Sequence, residues 1–303
     1  MVPFFIDFPM YWQTSRFQID LTRPKVMGIV NVTPDSFSDG GLFASRDSAM
    51  AHCERLLKDG ADVLDIGGES TRPGAQPLCA GEELERVLPI VRHAVTLGVP
   101  VSVDTYKPEV MEQVLDIGAD IINDVWSLRW RSAENARTGR EVVVGHPACG
   151  VCLMHMHRDP QTMQVTPMDG DVVPSVLSFL QLATHDLRGL GLDLTRICID
   201  PGIGFGKTVA QNFALLARQR ELLAIGVAVM AGWSRKSSLA AVTQRSLATV
   251  ATLDLRDRMV PSVAAALLAV QNGAHIVRVH DVKETVQALK VLGAMQEQTG
   301  LDT

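Results

Sequence analysis

Short aliphatic runs alternate with longer stretches of helical periodicity along most of the chain. The strand-length runs occupy residues 25–31, 61–67, 99–105, 119–125, 150–156, 196–202, 227–232 and 274–281. Helical patterns fill the intervals at 45–59, 82–97, 108–117, 171–188, 211–223, 256–271 and 282–297. Because strands that alternate with helices are typical of parallel sheets, and eight such units suffice to close one, we predict an α/β fold, a single-domain (β/α)8 TIM barrel.

The expected barrel does not use the whole chain. It spans residues 17–297, with an N-terminal extension at 1–16 and a C-terminal tail at 298–303. Segment 126–149 should hold the fourth helix, although its apolar residues keep no clean helical period. Residues 243–254 are predicted to form a surface connection.

The alternation inside the strands predicts where a functional site lies. Val101 and Val103 share one face of their strand, whereas Ser102 and Asp104 share the other. The aliphatic faces suit contact with helices, so the polar faces should point into the barrel. Barrel enzymes assemble their active sites at the C-terminal ends of the strands. Polar residues recur there at Asn31, Asp65, Asp104, Asn123, Asp200 and Arg278.

Composition narrows the classes of function. Of 303 residues, 47% are hydrophobic, and 34 acidic against 28 basic residues give a formal net charge of −6. That balance disfavours a general nucleic-acid binder, which usually carries a basic excess. The five scattered cysteines suit a reducing compartment, and the sequence has neither a signal-peptide pattern nor an apolar window of membrane length. We therefore expect a cytoplasmic protein with no nucleic-acid or membrane partner.

The loops after the first two strands carry candidate binding groups. The first reads NVTPDSFSDGG, and its Phe37 is an aromatic residue among polar ones. The second, DIGGESTRPG, offers the Thr71 hydroxyl and the Arg72 guanidinium to an anion. A turn in which Arg72 merely pairs with Glu69 is the alternative.

The last two strands are followed by a second group of candidates. GWSRKSS places Lys236 at the predicted mouth of the barrel. In RVHDVKET, Arg278 and His280 precede a helix N-terminus and suit a phosphate group. Asp281 and Glu284 fit a capping box, which needs no ligand.

Two other motifs suggest different chemistry. DPGIGFGKT ends as a phosphate-binding P-loop does, but Pro201 stands where that motif requires its first glycine. The CGVC pair lies close to His155 and could suggest zinc, although Cys152 and His155 would face opposite sides of a strand. A nucleotide hydrolase and a zinc site therefore rank below the barrel interpretation.

Several segments together resemble the dihydropteroate synthase family. In chain order they are NVTPDSFSDGG, DIGGESTRPGA, SVDTYKP, IIND, CLMHM, DPGIGFGK, SRKS and RVHDVKET, between residues 25 and 290. The resemblance implies a (β/α)8 barrel, usually a homodimer, that uses Mg²⁺ as cofactor. Such enzymes condense 6-hydroxymethyl-7,8-dihydropterin pyrophosphate with p-aminobenzoate, which sulfonamides imitate.

By position, the resemblance also implies roles for individual residues. The pterin would be held by Asp104, Asn123, Asp200 and Lys236. The pyrophosphate would be bound by Thr71, Arg278 and His280, with Asn31 as the Mg²⁺ ligand. The p-aminobenzoate site would be lined by Phe37, Arg72, Pro73 and Ser234, with Asp35 closing the first loop over it. Catalysis would be carried by Lys236, Arg278, His280, Asp35 and Arg72.

Two features depart from the family pattern. Segment 126–149 matches it poorly, and Trp233 is bulky beside Ser234. Trp233 either narrows the p-aminobenzoate pocket or packs outward.

Two alternative functions share the predicted fold. A pterin-dependent methyltransferase module that binds methyltetrahydrofolate would need the pterin-binding residues but no pyrophosphate site, so Thr71, Arg278 and His280 count against it. A catalytically silent binding protein would retain ligand without turnover, but no motif position is visibly lost.

Overall fold

Parallel strands form a closed barrel, as predicted. The computed structural model describes residues 11–32, 41–71, 74–131, 137–244 and 255–299. The barrel strands are β3 (Lys25–Asn31), β4 (Val63–Gly67), β5 (Val101–Asp104), β6 (Ile121–Asp124), β7 (Gly150–Met154), β8 (Ile197–Asp200), β9 (Ala228–Ala231) and β10 (Ile276–Val279). They follow one another in sequence order around the barrel, and β10 pairs with β3 to close it. All eight lie within the predicted runs.

Helices connect the successive barrel strands. They are α1 (Gly41–Lys58), α2 (Ala80–Val95), α3 (Pro108–Asp116), α4 (Gly139–Gly145), α5 (Val173–Gly189), α6 (Val209–Ala217), α7 (Ser237–Gln244), α8 (Met259–Gln271) and α9 (Val282–Thr299). Within the described ranges, no helix combines the length and apolar character needed to cross a bilayer. The predicted helix at 211–223 is α6 followed by a 3-10 turn at Gln219–Ile225.

Two helices differ from the sequence pattern. The fourth helix, expected somewhere in 126–149, is only the seven residues of α4, which explains why no long periodic stretch is visible there. Thr138 starts it with a capping box, in which its hydroxyl accepts from Glu141 N at 3.3 Å. The short helix α7 was not among the predicted patterns, because eight residues are too few to establish a period.

The two faces of each strand contact different parts of the core, as the alternation predicts. Val101 and Val103 are fully buried in the large cluster between the barrel and the helices. Ser102 points inward, where its hydroxyl donates to Asp65 Oδ1 at 2.6 Å. Farther from the rim, the barrel interior is filled by a second apolar cluster that includes Met27, Val63, Ile121, Cys152, Cys198, Ala228, Met230 and Ile276.

A hairpin preceding the barrel corrects the boundary expected from sequence. Residues 11–16 were assigned to an N-terminal extension, but β1 (Tyr11–Gln13) pairs antiparallel with β2 (Gln18–Asp20). Trp12 is fully buried in the interior cluster, and its Nε1 donates to Arg196 O at 3.0 Å. Arg16 adds an ion pair to the buried Asp120 at 2.6 Å. The hairpin therefore closes the end of the barrel opposite the predicted site.

Replacement of Trp12 by alanine tests that role. We expect Trp12→Ala to lower the free energy of unfolding by about 3–5 kcal/mol, because it leaves a cavity among the inward side chains. Urea unfolding would measure the change. Tyr11→Ala is the matched control, since Tyr11 is 37% exposed on the same strand. Equal losses in the two variants would contradict the proposed closure.

Candidate functional site

A buried carboxylate, Asp65, is the centre of the polar cluster at the rim of the barrel. It lies on β4, is 0% exposed, and accepts a hydrogen bond from Ser102 on β5. Arg278 on β10 donates from Nε to Asp65 Oδ2 at 2.6 Å, and Asn123 on β6 donates from Nδ2 to the same oxygen at 3.3 Å. Four different strands therefore meet at one side chain.

Arg278 also connects this centre to Asp104. Its Nη2 donates to Asp104 Oδ2 at 2.7 Å, so that one guanidinium pairs with two carboxylates. Burial raises the pKa of Asp104 to about 7, although the positive charges of Arg278 and Lys236 act to lower it. Burial alone would lower the pKa of Arg278, but Asp65 and Asp104 raise it above its usual value. Arg278 therefore remains charged.

Asp200 and Lys236 lie on the opposite part of the same rim. Asp200 ends β8 and accepts from Gly202 N through Oδ1 at 2.6 Å. Burial raises its pKa, while the Gly202 N–H, Lys236 and Arg278 act to lower it. Lys236 Nζ lies 4.4 Å from the centroid of the Phe205 ring. Lys236 and Arg278 both act to lower the pKa values of Asp104 and Asp200, and Asn123 shares Asp65 with Arg278, so these five residues lie around one rim.

The loops after β9 and β10 are joined by a hydrogen bond and an ion pair. Ser234 Oγ lies 2.9 Å from His280 Nδ1, and His280 N donates to Ser234 Oγ at 3.1 Å. Asp281 accepts from Arg235 Nη2 at 2.6 Å, so its carboxylate contributes to the contact between the loops. Two residues predicted for different substrates, Ser234 and His280, are therefore neighbours.

Trp233 packs away from the site. It is 1% exposed and belongs to the cluster between the barrel and the helices, where its ring is tilted by 44° against that of Phe213 of α6, with the centroids 5.2 Å apart. Of the two possibilities raised by the sequence, the outward one is correct.

The loop after β4 is held by a buried ion cluster that the sequence analysis did not identify. Lys107 bridges Glu69 and Glu83 and is itself almost fully buried. Tyr106 donates its hydroxyl to Glu69 Oε1 at 2.8 Å. Glu69 therefore pairs with Lys107, and this pairing anchors the segment that leads to the half-buried Thr71. Asp35, Phe37, Arg72 and Pro73 lie outside the described residues.

Asn31 is placed as expected for a group at the strand ends. It is the last residue of β3, is half-buried, and lies opposite Gly67 of β4. Among the described residues no group of three or more His, Cys, Asp or Glu side chains could hold a metal. The Asn31 side chain carries an amide oxygen, which is a donor type that Mg²⁺ accepts.

Sequence reasoning gave no role to two groups that contact the predicted residues. Asp65 was noted as a polar residue at a strand end, but its pairing with Arg278 spans 213 positions and has no local signal. Phe205 lies in the glycine-rich loop after β8, and the sequence gives no signal for its contact with Lys236, which is 31 positions away.

Removal of Arg278 tests the ion cluster. We expect Arg278→Met to lower the free energy of unfolding by about 3–5 kcal/mol near pH 8, because two buried carboxylates lose their partner. Without the guanidinium the pKa of Asp104 would rise further, so protonation of Asp104 would relieve part of the cost as the pH falls. Urea unfolding at pH 8 and pH 5.5 would measure this difference.

Arg218→Met is the matched control for that experiment. Arg218 also pairs with two carboxylates, Asp171 and Glu221, but all three side chains are exposed. Exposed ion pairs contribute little, so its loss should change stability only slightly. A similar response of the two variants would contradict the importance of the buried cluster.

Comparison with known proteins agrees with this geometry. The family model described as pterin binding enzyme matches residues 27–280. Dihydropteroate synthase of Neisseria meningitidis serogroup B is 45% identical over 289 residues, covering 94% of this chain and 97% of its own length.

Two solved structures are similarly close. Xanthomonas albilineans dihydropteroate synthase with 4-aminobenzoic acid is 46% identical, with a TM-score of 0.82 and coverage of 92% of this chain and 95% of that one. Burkholderia cenocepacia dihydropteroate synthase complexed with 7,8-dihydropteroate is 44% identical, with a TM-score of 0.82 and coverage of 96% and 98%. The resemblance stated from the motifs is confirmed, and the chain belongs to the pterin-binding enzyme family.

Proposed function

We propose that this protein acts as a dihydropteroate synthase. It condenses 6-hydroxymethyl-7,8-dihydropterin pyrophosphate with p-aminobenzoate to give 7,8-dihydropteroate and pyrophosphate. The observation that carries the proposal is the convergence of Asp104, Asn123, Asp200, Lys236 and Arg278 on one rim, in a chain similar over nearly its full length to enzymes of that name.

The pterin ring is assigned to the deep part of the site. Its aminopyrimidinone edge carries N–H donors, which Asp104, Asn123 and Asp200 accept, while Lys236 donates to the ring's acceptors. Both aspartates are held by donors on one oxygen, Arg278 for Asp104 and Gly202 N for Asp200. Fixed acceptors of this kind favour a ligand whose donors match their positions.

The pyrophosphate is assigned to the outer side of the same rim. Arg278 uses Nε and Nη2 for its two carboxylates, which leaves Nη1 to face an anion beside His280 and Thr71. Asn31 would hold Mg²⁺ together with pyrophosphate oxygens and water. The bound ion would supply positive charge that neutralises the pyrophosphate oxygens.

The arylamine is assigned to the loops at the mouth. Ser234 is the described member of this site, and Phe37, Arg72 and Pro73 are proposed to complete it, with Asp35 on the closing loop. The Ser234–His280 contact supports a position for this site directly beside the proposed pyrophosphate site.

The reaction then needs little acid–base help from the protein. The bond between the pterin methylene carbon and the pyrophosphate oxygen breaks first, and Arg278 and His280 stabilise the negative charge that develops on the leaving group. The neutral arylamine nitrogen bonds to the methylene carbon and gives its proton to the departing pyrophosphate. The loops at the mouth exclude water, which would otherwise capture the methylene cation.

The methyltransferase alternative is less well supported. A module that binds methyltetrahydrofolate needs the hydrogen-bond acceptors for the pterin ring. It does not need positively charged groups that bind a pyrophosphate leaving group. Arg278 and the Ser234–His280 pair at the rim therefore favour the condensation reaction.

A turnover assay tests the function directly. We expect the protein, Mg²⁺, pterin pyrophosphate and labelled p-aminobenzoate to yield dihydropteroate and pyrophosphate, and a chelator to stop turnover. Lys236→Ala should weaken pterin binding in calorimetry at least about tenfold, because a hydrogen bond to a charged group contributes about 1.5–3 kcal/mol. Lys58→Ala, at the exposed end of α1, is the control. Methyl transfer from methyltetrahydrofolate without pyrophosphate release would refute the proposal.

We further propose that the enzyme is a cytoplasmic homodimer. All five cysteines are free thiols, which suits a reducing compartment. The adjacent helices α8 and α9 expose large apolar side chains, Val260 at 70%, Leu268 at 47%, Val291 at 73% and Met295 at 49%. A second copy of the chain would cover this surface.

The dimer is tested by sedimentation velocity. We expect the parent protein to sediment as a dimer and the double variant Val260→Asp/Leu268→Asp as a monomer, because charges at a buried apolar contact remain unpaired. Leu182→Asp is the control, since Leu182 is 65% exposed on α5, away from this surface. A monomeric parent would rule out the proposed assembly.

A further inference from the structure

The loop between β8 and α6 is built around a buried lysine. Lys207 is 3% exposed, and its Nζ donates to the carbonyl oxygens of Gly202 at 2.8 Å, Phe205 at 3.1 Å and His155 at 3.3 Å. An ammonium group has three protons, and three carbonyls accept them here. A buried charge is tolerated only when it is satisfied in this way. Lys207 thereby joins two positions of the loop, Gly202 and Phe205, and connects both to His155 at the end of β7.

Two glycines allow the same loop to approach β7 closely. Gly202 has a φ of +70°, and a Cβ there would lie 1.9 Å from His155 O. Gly206 has a φ of +72°, and a Cβ there would lie 2.6 Å from His157 Cβ. Any side chain at either position would push the loop away from the strand.

A second buried side chain ties this loop to the one that carries Lys236. Asn212 of α6 is 1% exposed and accepts from Gly204 N through Oδ1 at 2.9 Å. Its Nδ2 donates to Ser238 Oγ at 2.9 Å. Ser238 lies two positions after Lys236, and a Cβ at Gly204 would lie 3.3 Å from Lys236 Cδ. One amide therefore sets the spacing between the two loops at the point where they touch.

We propose that Lys207 and Asn212 are positioning residues, which hold Phe205 and Lys236 in the geometry that binds the pterin. The proposal rests on the proposed function, because it assigns Lys236 to the pterin. Lys207 acts through the three backbone carbonyl groups that it binds, and Asn212 acts through the Gly204 N–H and the Ser238 hydroxyl. The Phe205 ring and Lys236 Nζ, 4.4 Å apart, are the pair whose relative position depends on them.

The same contacts account for the resemblance of this segment to a P-loop. Thr208 does not face a phosphate: its hydroxyl accepts from Gln211 N at 3.2 Å, and Gln211 Oε1 accepts from Thr208 N at 2.8 Å. That is a capping box at the start of α6. Lys207 and Thr208 are therefore adjacent for separate structural reasons: Lys207 binds the carbonyl groups of the loop, and Thr208 caps the start of α6.

Calorimetry with 6-hydroxymethylpterin tests the proposal, since this probe lacks the pyrophosphate. We expect Lys207→Met and Asn212→Ala to lower its affinity at least about tenfold while both proteins still unfold cooperatively on heating. The KM for p-aminobenzoate should rise less than the KM for the pterin substrate. Thr208→Ala is the matched control, because it removes a helix cap in the same segment without touching the loop; its pterin affinity should stay within about twofold of the parent.

The outcomes separate this inference from the function on which it rests. Unchanged pterin affinity in folded Lys207→Met and Asn212→Ala would overturn the positioning role, as would an equal loss in Thr208→Ala. Failure of both variants to fold would also overturn it, because the residues would then serve general stability. If only Lys207→Met fails to fold, Asn212→Ala decides. A parent protein that binds no pterin would instead refute the proposed function.

Discussion

Two carboxylates and one guanidinium share a buried space at the rim of the barrel, and the placement of the other polar groups depends on them. Ionised groups removed from water are costly unless they are paired and hydrogen-bonded. Asp65 is fully buried and accepts from Ser102, Asn123 and Arg278. Because these partners come from three other strands, the cluster is satisfied only when the barrel is closed in its observed register. A site built in this way is a property of the whole fold.

The two ends of the barrel have different roles, one in stability and the other in the polar site. The end opposite the site is filled with apolar side chains and closed by the hairpin that carries Trp12, so its contribution is to stability. The other end carries the acids, amides and cations, which the rigid strands hold in place while the loops complete the rim. This division lets polar groups accumulate at one end without unsatisfied partners in the barrel interior.

The sequence predicts the local features well and the distant ones poorly. Strand positions follow from aliphatic runs of strand length, and the inward direction of Asp104 follows from the alternation around Val103. The hairpin that carries Trp12 has no such signal, because its three-residue strands are too short to show a pattern. They contribute to stability through contacts with the end of the barrel opposite the site, which the local sequence does not reveal. The ion pair between Arg278 and Asp65 links residues 213 positions apart, so closure of the barrel creates it and no spacing reveals it. The same holds for Lys207, whose motif only ends as a phosphate loop does and gives no signal for its three carbonyl partners.

The ion cluster also decides which ligand edge the site can accept. An ionised carboxylate accepts hydrogen bonds and donates none, so the Asn123 amide presents its nitrogen to Asp65 and keeps its oxygen as an acceptor for another group. Arg278 donates to one oxygen of Asp104, and Gly202 N donates to one oxygen of Asp200. The second oxygen of each carboxylate is left as an acceptor. The strand ends thus offer three acceptors, with Lys236 as the donor on the facing loop. A ring with several N–H groups along one edge satisfies all three, whereas a ring without them would leave buried acceptors unpaired at a cost of about 1–3 kcal/mol each. In the proposed function, discrimination for a pterin would therefore follow from the charge balance at the centre of the barrel as much as from the residues proposed to touch the ring.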